Sequence, residues 1–150
     1  MIRTNVLSIP KVRVIVVTGT NEDWIESICY LLGDTEKQLD LRGIRFEMSV
    51  RRRAEDHEVI LHATSKNRWL SVAPFPNTGF LLLNVPLAEM RTKLPGNYVA
   101  DIVARNGVFN RRIIEMELQI VQGVTRYVEG LATRVTLLPR ATLLPPGKVA

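Results

Sequence analysis

From Ile44 to Arg51 apolar and polar residues alternate without a slip. Ile44, Phe46, Met48 and Val50 share one parity, and Arg45, Glu47, Ser49 and Arg51 share the other. A two-residue period sends the two sets to opposite faces of an extended chain, so it predicts a strand with one greasy and one wet side. Residues 12–17 are β-branched and nearly continuous, which predicts a strand covered on both faces. Residues 24–32 fit either period: Trp24, Ile28 and Leu31 suit a helix, Ile28 and Tyr30 a strand. Strand is favoured because the neighbouring segments are strands and Gly33-Asp34 supplies turn chemistry.

The same rule predicts strands over 59–64, 69–72, 80–85 and 98–104, the last with Tyr98, Ala100 and Ile102 inward. A return strand follows the Asn106-Gly107 hairpin signal, with Ile114, Met116, Leu118 and Ile120 set against Ile113, Glu115, Glu117 and Gln119. Residues 87–94 read as a short helical crossover with Leu87, Met90 and Leu94 on one stripe, stopped by Pro95-Gly96. Seven or eight short strands separated by turns imply an all-β fold, a sandwich with Greek-key or immunoglobulin-like wiring over residues 11–126.

Two flanks break the pattern. Residues 1–10 read as an irregular arm closed by Pro10. Residues 127–150 carry a small echo, Thr136-Leu-Leu-Pro139 and Thr142-Leu-Leu-Pro145, whose prolines exclude a helix interior and a central strand. An extended arm is expected there, with Leu137, Leu138, Leu143 and Leu144 as anchors on a neighbouring chain.

At 150 residues one domain is the simplest division. With 46% hydrophobic and 23% charged residues the chain has the composition of a folded protein rather than a disordered one. The net charge of +5 comes from charges of both signs mixed along the chain, which describes a solvated basic surface better than a nucleic-acid footprint. Cys29 is the only cysteine, so no internal disulfide forms. Neither a signal-peptide core nor a membrane-spanning run is visible, so the expectation is synthesis in a reducing cytoplasm and no membrane partner.

His57 and His62 fall on opposite faces with no cysteine or paired carboxylate beside them, so no metal site is expected. Cys29 lies in an apolar stretch and reads as an inert buried thiol. The acidic pairs Glu22-Asp23 and Glu55-Asp56 are adjacent and cannot face one another across a cleft, so they read as solvated surface. Asp101 is expected to pair with an arginine on the next strand. The glycines are isolated turn residues without a phosphate-binding loop. The expectation is therefore no enzyme, cofactor or small-molecule substrate. The basic clusters Arg51-Arg52-Arg53 and Arg111-Arg112 sit at predicted hairpin ends, where they would ride together. Without interleaved aromatics they suit ion pairs with a protein neighbour better than nucleic acid.

Three segments in order carry a resemblance. These are Asp40-Leu-Arg-Gly-Ile-Arg-Phe-Glu-Met-Ser-Val-Arg-Arg, then Gly79-Phe-Leu-Leu-Leu-Asn-Val with Met90 and Leu94-Pro-Gly-Asn-Tyr-Val-Ala-Asp101, and finally Ile120-Val-Gln-Gly-Val-Thr-Arg126. Over residues 20–126 the order resembles the immunoglobulin-like domain of tailed-bacteriophage virion proteins, that of baseplate upper proteins and related small tail proteins. The resemblance implies a structural protein of the virion, in tail, baseplate or neck, bound to other virion proteins and to copies of itself. A head-decoration or collar protein of the same fold is the nearest variant. A carbohydrate- or receptor-binding module using Trp24, Trp69 or Phe75 is the alternative from another class.

Overall fold

A computed structural model describes residues 4–33 and 35–125. The expected arm at 127–150, with Leu137, Leu138, Leu143 and Leu144, lies outside the described residues. Eight strands form: β1 (Val12–Gly19), β2 (Trp24–Cys29), β3 (Arg45–Arg51), β4 (Leu61–Thr64), β5 (Leu70–Val72), β6 (Phe80–Val85), β7 (Gly96–Arg105) and β8 (Asn110–Val121). One helical turn, α1 (Leu87–Met90), stands between β6 and β7. The strands sort into a five-stranded sheet, β1-β8-β7-β3-β4, and a three-stranded sheet, β2-β6-β5. Every pairing is antiparallel except β1 with β8. The fold is all-β, with two sheets enclosing one apolar core.

Alternation decides which residues meet inside. From the larger sheet come Phe46, Met48 and Val50 of β3, Tyr98, Ala100, Ile102 and Ala104 of β7, and Ile114, Met116, Leu118 and Ile120 of β8. Trp24, Leu70, Leu81, Leu83 and Val85 complete the core from the smaller sheet. The ambiguous segment from Trp24 is a strand, as its neighbours suggested.

Four findings depart from the sequence reading. First, β7 and β8 slip: Ile102 stands opposite Ile114 but Val103 stands opposite Arg112. The extra residue, Ile113, is fully buried rather than outward, because a bulge breaks the two-residue period. Second, residues of the expected N-terminal arm join the core: Val6 and Ile9 are fully buried, and Arg111 Nε donates to the Ile9 carbonyl at 2.9 Å.

Third, the crossover is a single turn. Met90 is buried but Leu94 is 65% exposed. Pro95 disfavours a helical conformation at Leu94, and the Tyr98 hydroxyl, near the start of β7, donates to the Leu94 carbonyl. The turn begins where Asp23 Oδ1 accepts the Leu87 N–H at 2.7 Å. Fourth, β1 is not covered on both faces. It is an edge strand whose outward residues Ile15 and Val17 are 75% and 60% exposed, with nothing among the described residues lying over them.

Truncating Phe46 to Ala, in the middle of the core, is expected to cost about 3–5 kcal/mol in urea denaturation. Ile15→Ala on the outer face of β1 is expected to change stability by less than about 0.5 kcal/mol. Equal costs at the two positions would contradict the assigned inside and outside of the sandwich.

Candidate interaction face

Outward residues of the five-stranded sheet form a shallow charged surface. A concavity of about 540 Å³ lies over β3, β7 and β8, lined among others by Glu47, Ser49, Arg51, Asp101, Arg105, Arg112, Glu115 and Glu117. Strand register explains the layout: Ser49 stands opposite Asp101, Asp101 opposite Glu115, and Glu115 opposite Arg13. Acids thus occupy the middle of the face and arginines its margins. Glu47 lies between the His62 imidazole, at 2.7 Å, and the Arg105 guanidinium, at 2.9 Å. The His62 hydrogen bond, with Arg105 adding to it, holds the Glu47 carboxyl below the ordinary range. Glu117 pairs with Arg13 at 2.9 Å. Asp101, expected opposite an arginine, instead has Ser49 and Glu115 as its cross-strand neighbours. Two carboxylates directly opposed across a ladder are mutually destabilising.

The two arginine clusters do not ride together. Arg51 pairs with Val99 near the start of β7, whereas Arg111 pairs with Ala104 near its end. Five residues of strand, about 17 Å, separate those ends. Several of these side chains are already engaged inside the domain. Arg51 Nη1 donates to the carbonyls of Asp56 and His57, both at 2.8 Å, and so closes the β3–β4 loop. The Arg52 guanidinium lies 5.3 Å from the centre of the Tyr98 ring, within cation–π range. Arg111 holds the N-terminal segment through Ile9. Arg53 and Arg112 are exposed, and Arg112 reaches the same concavity as Arg51. Sequence reasoning found the arginines but missed their carbonyl partners, which only the folded loops bring near.

The acidic pair Glu22-Asp23 is likewise structural rather than merely solvated. Glu22 Oε1 accepts from the Thr18 hydroxyl and the Gly19 N–H, both at 3.1 Å, while Asp23 caps α1. Trp24 is buried, Trp69 is half-buried, and Phe75 is 78% exposed with the Arg42 guanidinium 6.0 Å from its ring. A loop platform therefore lacks the first of its three expected aromatics. Cys29 is half-buried at the end of β2. Among the described residues no three His, Cys, Asp or Glu side chains are placed to hold a metal ion.

A second feature lies where β1 and β2 face each other at the open side of the sandwich. A cleft of about 230 Å³ is lined by Val14, Val16, Ile28, Leu81, Ile114, Met116 and others, with Glu26 as its one carboxylate. Glu26 occupies an inward parity of β2, between Trp24 and Ile28. Burial holds its carboxyl above the ordinary glutamate value; the Trp24 indole N–H, donating at 3.3 Å, opposes that rise and nearby Glu22 adds to it. No protein-family model matches the chain, and no curated protein is significantly similar to it.

Because folded Glu26 keeps its proton to higher pH than the unfolded chain does, its carboxylate costs stability once pH passes the ordinary glutamate value. Glu26→Gln, which retains an oxygen for the indole, is expected to raise Tm at pH 7 and to leave it unchanged below about pH 4. A lower Tm at pH 7 would contradict the assigned burial. Asp101→Asn, by relieving the opposed carboxylates, is expected to stabilise by roughly 0.2–1 kcal/mol, less at high salt. Destabilisation in urea titrations would show that Asp101 makes a favourable contact instead.

Proposed function

We propose that this protein is a structural component of a tailed-bacteriophage particle, built on an immunoglobulin-like sandwich and joined to neighbours through its sheet surfaces and its C-terminal segment. The wiring supports the immunoglobulin-like reading. The sheet β2-β6-β5 occupies the positions of strands B, E and D, and β4-β3-β7-β8 those of C′, C, F and G, with β1 added parallel to the last strand. Tyr98, at the start of the F-like strand, bonds back to the Leu94 carbonyl in the manner of a tyrosine corner. Two residues on, where antibody domains carry a cysteine, stands buried Ala100, so packing alone joins the sheets at this point.

A fold of this kind hosts many functions, so the role is argued from surfaces. The observation that carries an assembly role is the apolar face of β1 that no other described residue covers. Ile15 and Val17 on β1 share an outer face with Val121 on β8, and all three are exposed. Exposed apolar area of this kind marks a contact surface. The assignment to a virion, in tail, baseplate or neck, rests on the ordered segments beginning at Asp40, Gly79 and Ile120. Their residues hold the fold together here: Leu41 and Phe46 are buried, and Gly43 takes a left-handed turn with φ of 84°.

Removing residues 127–150 is expected to leave a folded sandwich, judged by circular dichroism and a cooperative melt, that no longer enters particles. Normal incorporation of the truncated protein would overturn the role given to the C-terminal segment.

A further inference from the structure

Sheet edges are sites of unwanted pairing, and three of the four edges here are blunted. β4 has four residues and β5 three, too short to template a partner. β2 carries Glu26 on its inward face, a charge that an added strand would have to bury. β1 differs. It runs eight residues without proline or bulge, in unbroken register with β8, and from Val14 to Gly19 it holds no charge. Arg13, its one charged residue, is paired with Glu117. Among the described residues its other edge has no strand partner, and its outer face exposes Ile15 and Val17.

The end of the described chain lies beside this edge. After β8 the chain crosses the end of β1 toward the β1–β2 turn. Thr20 N–H donates to the Val121 carbonyl at 3.0 Å, Gly123 N–H to the Thr20 hydroxyl at 2.9 Å, and the Asn21 side-chain amide to the Thr125 carbonyl at 2.8 Å. A Cβ on Gly123 would sit 2.1 Å from the Asn21 side chain, so only glycine allows this crossing. Beyond it, residues 131–138 alternate: Leu131, Thr133, Val135 and Leu137 share one parity, Ala132, Arg134, Thr136 and Leu138 the other, and Pro139 ends the run. That stretch matches β1 in length and has the composition of a strand.

We propose that residues 131–138 of one copy pair with the free edge of β1 on a second copy, each copy extending the other's five-stranded sheet by one strand. This deepens the assembly role proposed above and rests on it. Because each copy presents its departing segment beside its own receiving edge, two copies exchange strands reciprocally across a twofold axis. The linker, residues 126–130, spans at most about 17 Å, so the partners stand edge to edge. Backbone hydrogen bonds give the affinity, and Ile15 and Val17 gain apolar neighbours.

The test uses the 150-residue chain, its oligomeric state read by light scattering and its amides by hydrogen–deuterium exchange. The expected result is a dimer with slowed exchange over residues 131–138. Ile15→Lys/Val17→Lys, made at exposed positions, is expected to give a folded monomer that loses this protection. A wild-type monomer with protected 131–138 would mean closure onto its own sandwich and would overturn the exchange. So would a dimer with unprotected 131–138, or one that the lysines leave intact. The assembly role fails separately, by normal incorporation of the truncated protein into particles.

Discussion

The parallel pairing of β1 with β8 is the constraint from which the rest of the molecule follows. A first strand joined to the second by a tight turn would ordinarily form a hairpin with it. Here β1 lies beside the last strand of one sheet while β2 opens the other, so residues 19–24 carry the chain across the core. That crossing leaves the sandwich open along the β1–β2 side. It produces the apolar cleft around Glu26, and it brings the end of β8 to the same corner as the β1–β2 turn. Among the described residues, one topological choice thus creates an unpaired edge and an exposed apolar face beside the end of β8.

Parity was the part of the fold most legible in the sequence, because a two-residue period reports directly on which side chains share a face. β3 and β7 follow it throughout, and β8 follows it beyond Ile113. The bulge at Ile113 is silent in the sequence because Ile113 and Ile114 are both apolar, and a slip between two like residues leaves no mark on the pattern. β1 misled for a related reason. A continuous β-branched run is the same string whether a second layer of its own domain covers it or another molecule does. Glu26 was also invisible, because one acid inside an ambiguous segment carries no sign of its inward parity until the strand is known.

Function was less legible than fold, and the arginines show why. Arg51, Arg52 and Arg111 stand out as basic clusters along the chain, yet folding commits them to the Asp56 and His57 carbonyls, the Tyr98 ring and the Ile9 carbonyl. Charge in a sequence counts side chains without saying which are already spent on the domain's own loops. What remains outward is an acidic centre of Asp101 and Glu115 ringed by Arg13, Arg105 and Arg112. In the proposed assembly, such a pattern would select the orientation of a charged neighbour more than it adds binding energy, while the apolar side at β1 would supply the area from which affinity derives.

Cryo-electron microscopy of intact particles carrying this protein would show whether the β1 edge is an assembly contact. The expected result is repeated copies of an eight-stranded sandwich in the tail, baseplate or neck, each with the β1 edge covered by a strand from another chain. A sandwich whose β1 edge faces solvent in every copy, or a particle without the protein, would contradict it.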